Sequence, residues 1–294
     1  MSFFNIPVAI IIYNREKQTK LLIEQLRKIQ PTDLYIIADG PHNEQDVIKC
    51  RNVQQLLTTI NWPCVIHKNI SPVNLGCRNR VVSGLNWLFE HVEYAIILED
   101  DCIPHQRFFY FAEAMLNKYK DVENIMHVSG TNFLAQSKSS GSYFFSKYPH
   151  VWGWATWKRA WKKYDQYLFS WEKHGGRVDF EDSLEKNNVL NNYFSYHRTT
   201  WDIQWTYCCL MHKGLAIIPE TNLIINHGDE GTNTFIQHLA YLARLTRSLP
   251  IPEIGAGSIF SDTATNSRQY DQEYFDLFFS RNPVFQTAFK ARGL

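Results

Sequence analysis

The sequence predicts an α/β protein built on a parallel, doubly wound sheet and continuing into an aromatic-rich second half. Three observations predict it. Short apolar strands alternate with helical segments through the first half of the chain, the order expected of βαβ units. The first strand, Pro7-Val8-Ala9-Ile10-Ile11-Ile12-Tyr13, is apolar throughout, as a strand covered on both faces must be. The fourth, Tyr94-Ala95-Ile96-Ile97-Leu98, runs directly into Glu99-Asp100-Asp101. Open α/β sheets bind ligands outside the carboxyl ends of their strands, so this acid triplet stands where a ligand is expected.

In chain order, Asn14-Arg15 ends the first strand, and the helix Glu16 to Ile29 follows with Leu21, Leu22 and Leu26 at helical spacing. Pro31 closes that helix. Leu34 to Ala38 is a second strand, ending in Asp39-Gly40-Pro41. A polar helix covers Glu44 to Thr59, and Cys64 to His67 is a third strand. The loop Asn69 to Gly76 leads to a helix from Arg78 to His91, then to the strand before the acids. Pro104 opens a helical pattern over Gln106 to Lys120, and Ile125 to Gly130 is one more strand.

The texture then changes, which places the division at 1–135 and 136–294. Gln136 to Ser142 is rich in Ser and Gly and reads as a loop. Tyr143 to Trp171 is dense in aromatics, among them Trp152, Trp154 and Trp157. A polar stretch, Glu172 to Asn192, precedes a helix over Thr199 to Lys213 and a strand over Leu215 to Pro219. Asn226 to Thr232 is turn-forming. The remainder shows little periodicity.

Composition narrows the function. With 45% hydrophobic residues the 294-residue chain fills a core, and disorder is not expected. A net charge of +1 leaves no general basic field for nucleic acid or an anionic membrane. The cysteines Cys50, Cys64, Cys77, Cys102, Cys208 and Cys209 lack paired CxxC spacing, so neither a zinc site nor a disulfide framework is expected. No signal peptide and no membrane-spanning run is visible, so a cytoplasmic or membrane-peripheral setting is expected.

Three adjacent carboxylates repel one another and call for a compensating charge. A hard divalent cation, Mn²⁺ or Mg²⁺, prefers oxygen ligands and suits them. The tripeptide alone is explained more simply by a helix N-terminus, with Asp101 near an N-cap and acids favoured by the helix dipole; its surroundings reverse that reading.

Ile11-Ile12-Tyr13-Asn14-Arg15, Ile37-Ala38-Asp39-Gly40, Asn74-Leu75-Gly76-Cys77-Arg78 and Leu98-Glu99-Asp100-Asp101 together resemble the nucleotide-sugar half of GT-A (Rossmann-like) glycosyltransferases. Within them the chain resembles the N-acetylglucosaminyltransferase I-like branch and its bacterial nucleotide-diphospho-sugar transferase relatives. Gly153-Trp154-Ala155-Thr156-Trp157, Trp201-Asp202-Ile203-Gln204-Trp205 and Pro219-Glu220-Thr221-Asn222-Leu223 extend the resemblance to about residue 230. The chain departs from it at Ile224-Ile225-Asn226-His227-Gly228, where Gly-Phe-Gly-like residues are expected, and over its last 60 or so residues.

The resemblance implies a metal-dependent transfer of sugar from a nucleotide-diphosphate donor, a UDP-sugar, to a hydroxyl of a glycan or other acceptor, with inversion. It implies that Asp101 binds the metal and that Asp100 or Glu99 touches ribose or sugar hydroxyls. Tyr13, Asn14 and Arg15 would lie at the donor site. Asp39 either accepts a hydrogen bond from uracil N3–H or makes an Asx turn before Gly40-Pro41. Arg15 or Arg78 pairs with the diphosphate, unless Arg78 is an ordinary first-turn helix residue. His227 is a candidate second metal ligand or a structural histidine, with Asp229 and Glu230 weaker candidates. Trp152, Trp154 and Trp157 stack on sugar, Trp154 first, or fill the core. Asp202 is the candidate general base, with an N-cap role as its alternative. A sugar-phosphate nucleotidyltransferase shares the βαβ logic, but Tyr13-Asn14-Arg15-Glu16 lacks the Gly-rich loop it needs; an inactive carbohydrate-binding relative is the third reading.

Overall fold

The computed structural model describes residues 4–134, 142–196, 200–228, 237–249, 265–266 and 268–280. The first half folds as β1 (Val8–Ile12), α1 (Glu16–Ile29), β2 (Asp33–Ala38), α2 (Glu44–Leu56), β3 (Val65–Ile70), α3 (Gly76–His91) and β4 (Tyr94–Glu99). These strands are parallel, in the order β3-β2-β1-β4, with Val8 beside Leu34 on one side and Ile96 on the other. The period-2 alternation of each strand divides its side chains between two cores. Val8, Ile10 and Ile12 join Leu34, Ile36 and the Leu22, Ile23 and Leu26 face of α1. Ala9, Ile11, Tyr35 and Ile37 join Val81, Leu85 and Leu88 of α3. Burial on both faces is why β1 carries no polar position, whereas the edge strand β3 holds His67, Lys68 and Asn69 and is largely exposed; each fully buried Leu or Ile contributes about 1.5–3 kcal/mol.

After β4 come β5 (Cys102–Pro104), α4 (Gln106–Lys118), β6 (Ile125–Ser129), β7 (Tyr143–Ser146), β8 (Trp154–Trp157), α5 (Lys158–Trp161), α6 (Phe169–Lys173), α7 (Leu184–Phe194), α8 (Asp202–Met211), β9 (Leu215–Pro219), β10 (Ile224–Asn226), α9 (Gln237–Ser248), β11 (Thr265–Asn266) and α10 (Arg268–Tyr274). The sheet continues past β4 in the order β4-β8-β6-β9-β7-β11, so strands from both halves share one mostly parallel sheet with helices on both faces. β8 is antiparallel to both neighbours, with Trp154 beside Ile97 and Ser129. β5 and β10 form a separate two-stranded ribbon. A third core under the far end of the sheet is aromatic, joining Phe144, Tyr193, Phe194 and Tyr207 to Tyr270, Tyr274 and Phe278.

Several expectations need correction. Pro104 ends β5 rather than opening a helix; His105 caps α4, its ring accepting from the Arg107 amide. The polar stretch after Trp171 contains α7, capped by Ser183, and the region of little periodicity contains α9 and α10. The loop at 136–142 lies outside the described residues except for Ser142, as do Asp229 and Glu230. The cysteines are free thiols, and Cys208 and Cys209 are buried on α8, as small apolar side chains would be.

Candidate active site

The strand order reverses between β1 and β4, which puts their carboxyl ends side by side at the switch point of the sheet. The chain leaves β1 through Tyr13-Asn14-Arg15 and β4 through Glu99-Asp100-Asp101. Arg15 Nη1 donates to Asp100 Oδ1 at 3.0 Å and to Asp101 Oδ2 at 2.7 Å. The two acid side chains are only 8% and 14% exposed, so a nearby cation offsets a substantial desolvation cost. Burial pushes the Asp100 carboxyl up to about 7, with Arg15 pulling the other way and Asp101 reinforcing the rise. Burial and the charges of Asp101, Asp100 and Asp202 hold Glu99 well above the usual carboxylate range.

Asp202 comes to the same site from the other half. It is the first residue of α8, and its carboxylate accepts from the Thr200 hydroxyl and from the backbone amides of Asp202 and Ile203. Burial raises its pKa. Trp201 and Trp205 are buried on either side of it in sequence. Asp202 is thus not the N-cap expected as its alternative role, since Trp201 holds that position, and its charge is felt at Glu99.

The β5–β10 ribbon brings His227 beside Asp101: the His227 amide donates to the Asp101 carbonyl at 2.8 Å. Gly228 passes so close that a Cβ there would lie 2.8 Å from Asp101 Oδ2 and from Asn226 Oδ1. A larger residue there would have to displace the Asp101 or Asn226 side chain.

The remaining candidates are placed differently. Tyr13 donates its hydroxyl to Asp46 at 2.8 Å and Asn14 its amide at 2.9 Å, fastening the end of β1 to the first turn of α2. Those two bonds hold Asp46 below the usual carboxylate range. Asp39 accepts from the backbone amides of Gly40 and Leu75, both 2.9 Å, and of Gly76, 3.1 Å, so it clasps the start of α3; the expected Asx turn does not form, because Pro41, two residues on, has no N–H to donate. Arg78 reaches the Gln166 carbonyl at 3.4 Å and lies 5.4 Å from the Tyr167 ring centroid.

Trp154 does not face a sugar. It is fully buried, stacked on His127 at 5.2 Å and against Trp201 at 5.8 Å. A residue on an inner strand, covered on both faces of the sheet, has no surface to offer a ligand. Trp157 is likewise buried, and Trp152 is half-buried where the three cores meet.

Sequence reasoning missed Asp46 and Thr200. Asp46 was legible as the residue three beyond Asn43, whose side chain accepts from the Asp46 amide; Thr200 only by its position two before Asp202.

Among the described residues, no group of three or more His, Cys, Asp and Glu side chains stands ready to hold a metal. The donor chemistry nevertheless fits a hard cation, because Asp100 and Asp101 already share one positive group through carboxylate oxygens.

No protein-family model and no curated protein sequence matches the chain. Among solved structures, a cytidylyltransferase from Leptospira borgpetersenii serovar Hardjo-bovis is similar at 10% identity and a TM-score of 0.35, covering 68% of this chain and 92% of its own. An active-site mutant of LgtC is similar at 10% identity and a TM-score of 0.34, covering 84% and 98%. No helix among the described residues is long and apolar enough to cross a membrane.

Proposed function

We propose that this chain is a metal-dependent, inverting glycosyltransferase that moves a sugar from a UDP-sugar to a hydroxyl acceptor. One observation carries the reading. Carboxylates at and just after the end of β4 (Glu99, Asp100, Asp101), with the charge of Asp202 on α8 felt among them, gather at the β1/β4 switch point, where a single side chain, Arg15, bridges Asp100 and Asp101. In this reading Asp101 and Asp100 would hold Mn²⁺ or Mg²⁺, and His227, whose backbone amide alone meets Asp101, would have to turn its ring in to serve as a further ligand. The bound cation would offset the charge that develops on the leaving diphosphate.

The chain's own residues do the rest. Arg15, released from Asp100 and Asp101, forks onto phosphate oxygens. Glu99 accepts from or donates to a donor hydroxyl. Asp202 takes the acceptor hydroxyl's proton as the new bond to the anomeric carbon forms and the bond to phosphate breaks. A carboxylate made more basic by burial serves that role well at neutral pH. Trp201 and Trp205 keep water away from it.

Thermal unfolding with UDP tests the reading, because a ligand of the folded state stabilises by mass action. UDP should raise the Tm with Mn²⁺ or Mg²⁺ and much less with EDTA, and Asp101→Ala should abolish the difference. Equal UDP shifts with and without metal in the wild-type protein would sink it.

A further inference from the structure

Tyr167 and Phe169 are large rings left on the surface, 53% and 60% exposed, with centroids 5.4 Å apart. Single exposed aromatics are ordinary, and Tyr110 and Tyr241 are examples here. This pair is different because the backbone is arranged to present it. Leu168, between the two, is fully buried in the aromatic core and holds φ at 50°, the left-handed region that a branched side chain enters only at a cost. Asp165 fixes both flanks: Oδ1 accepts from the Tyr167 amide at 2.9 Å and Oδ2 from the Phe169 amide at 2.7 Å. The buried leucine anchors the loop, and the strained turn sends its two neighbours outward.

The loop is also tied to the candidate active site. The Gln166 carbonyl accepts from Gln204, two residues beyond Asp202, at 3.3 Å, and from Arg78 at 3.4 Å. Tyr164, just before the loop, donates its hydroxyl to the Trp201 carbonyl at 3.0 Å. The loop that presents the rings therefore packs against the start of α8, where Asp202 stands.

We propose that Tyr167 and Phe169 form a stacking platform for the sugar rings of a glycan acceptor, which narrows the acceptor from any hydroxyl compound to an oligosaccharide. The proposal rests on the transferase reading above. Sugars offer a C–H face to an aromatic plane and hydroxyl edges to planar polar groups. Gln166 and Asn79 amides, bonded to one another at 3.0 Å, keep donor and acceptor capacity beside the rings. Two rings match one or two sugar units and fall far short of the roughly 800 Å² per partner of a stable protein interface. The Asp165 carboxylate on the loop backbone and the Arg78 guanidinium 5.4 Å from the Tyr167 ring are opposite in sign, so the pair has no basic field for an anionic membrane surface.

The experiment uses the whole chain on surfaces carrying immobilised cello-, chito-, malto- and mannohexaose, with UDP–Mn²⁺ thermal shift measured in parallel. Wild type should be retained on at least one hexaose. The Tyr167→Ala/Phe169→Ala double variant should lose about tenfold in apparent affinity while keeping its Tm and its UDP–Mn²⁺ shift. Tyr167→Phe, which keeps a ring, should retain binding. Wild type bound to none of the hexaoses, undiminished binding by the double variant, or binding to phosphatidylcholine vesicles lost in the variant while hexaose binding is absent, would each overturn the proposal. A wild type that binds hexaose but shows no metal-dependent UDP shift would sink the transferase reading and leave the platform intact.

Discussion

In the proposed reaction Asp202 would carry two jobs, holding the start of α8 and taking a proton. Its carboxylate is held by Thr200 and by the first amides of α8, and burial makes it more basic. Asp202→Asn separates the jobs, because asparagine preserves hydrogen bonds at a helix start but takes no proton. We expect unchanged folding and UDP–metal affinity with transfer lower by on the order of 10² or more. Near-normal transfer would remove Asp202 as the base. Arg15 gives a second expectation. Its guanidinium competes with any metal for the Asp100 and Asp101 oxygens. In Arg15→Gln the two acids lose their fixed partner, so the metal-free protein should be less stable, and Mn²⁺ alone should raise its Tm more than it raises that of wild type. An equal Mn²⁺ shift in both proteins would show that Arg15 does not guard the cation position. The meeting of Arg15 with the acid triplet was legible in part, since both end neighbouring parallel strands. Whether the guanidinium settles on carboxylates or on a ligand's phosphate depends on side-chain packing 85 residues away in sequence, which no local pattern encodes. For the same reason Tyr13 and Asn14 read as donor contacts, although their side chains are committed to Asp46.

β1, β2 and β4 were legible because each carries an apolar run buried on both faces, and β3, an exposed edge strand with His67, Lys68 and Asn69, by its place between two helices. β8 was not. Four residues, Trp154-Ala155-Thr156-Trp157, show neither period, and aromatics suit a ligand face as well as a core. Long-range pairing with β4 and β6 decides the matter. Trp154 is the element's main anchor, and its indole Nε1 has no hydrogen-bond partner among the described residues. Trp154→Ala should therefore cost about 3–5 kcal/mol of stability through the cavity it leaves. Trp154→Phe should cost less, since it also removes a buried unsatisfied donor. In the folded Phe variant the UDP–metal shift should match wild type; a selective loss of that shift at unchanged stability would return Trp154 to the sugar site. The short ribbon of β5 and β10 was equally hidden, although it sets His227 and Gly228 against Asp101.

At the scale of the whole molecule, one sheet binds the two halves, and His127 lies at their junction. It stands on β6, stacks on Trp154 of β8, and accepts from the Trp205 indole of α8 at 3.1 Å. A tryptophan N–H can only donate, so Nδ1 of His127 is the acceptor and Nε2–H donates to the His150 carbonyl at 3.0 Å. This fixes the neutral tautomer, and burial pushes the imidazole down to about 3. His150, in the aromatic core, is held equally low by burial and then by His127. From the sequence these histidines were unremarkable, because their burial comes from elements far apart in the chain. Between about pH 3 and 6.5 the unfolded chain binds a proton at each position that the folded chain refuses. Their contribution is thus complete above pH 6.5 and is lost as pH falls toward 3. His127→Gln isolates one of them, since glutamine can accept from Trp205 and donate to His150 but does not titrate. From pH 7 to pH 5, wild type should lose about 2 kcal/mol more stability in urea unfolding than His127→Gln, counting 1.36 kcal/mol for each pH unit below 6.5. Parallel stability curves for the two proteins over that range would mean that the junction between the halves accepts a charged histidine, and the tautomer assigned here would be wrong.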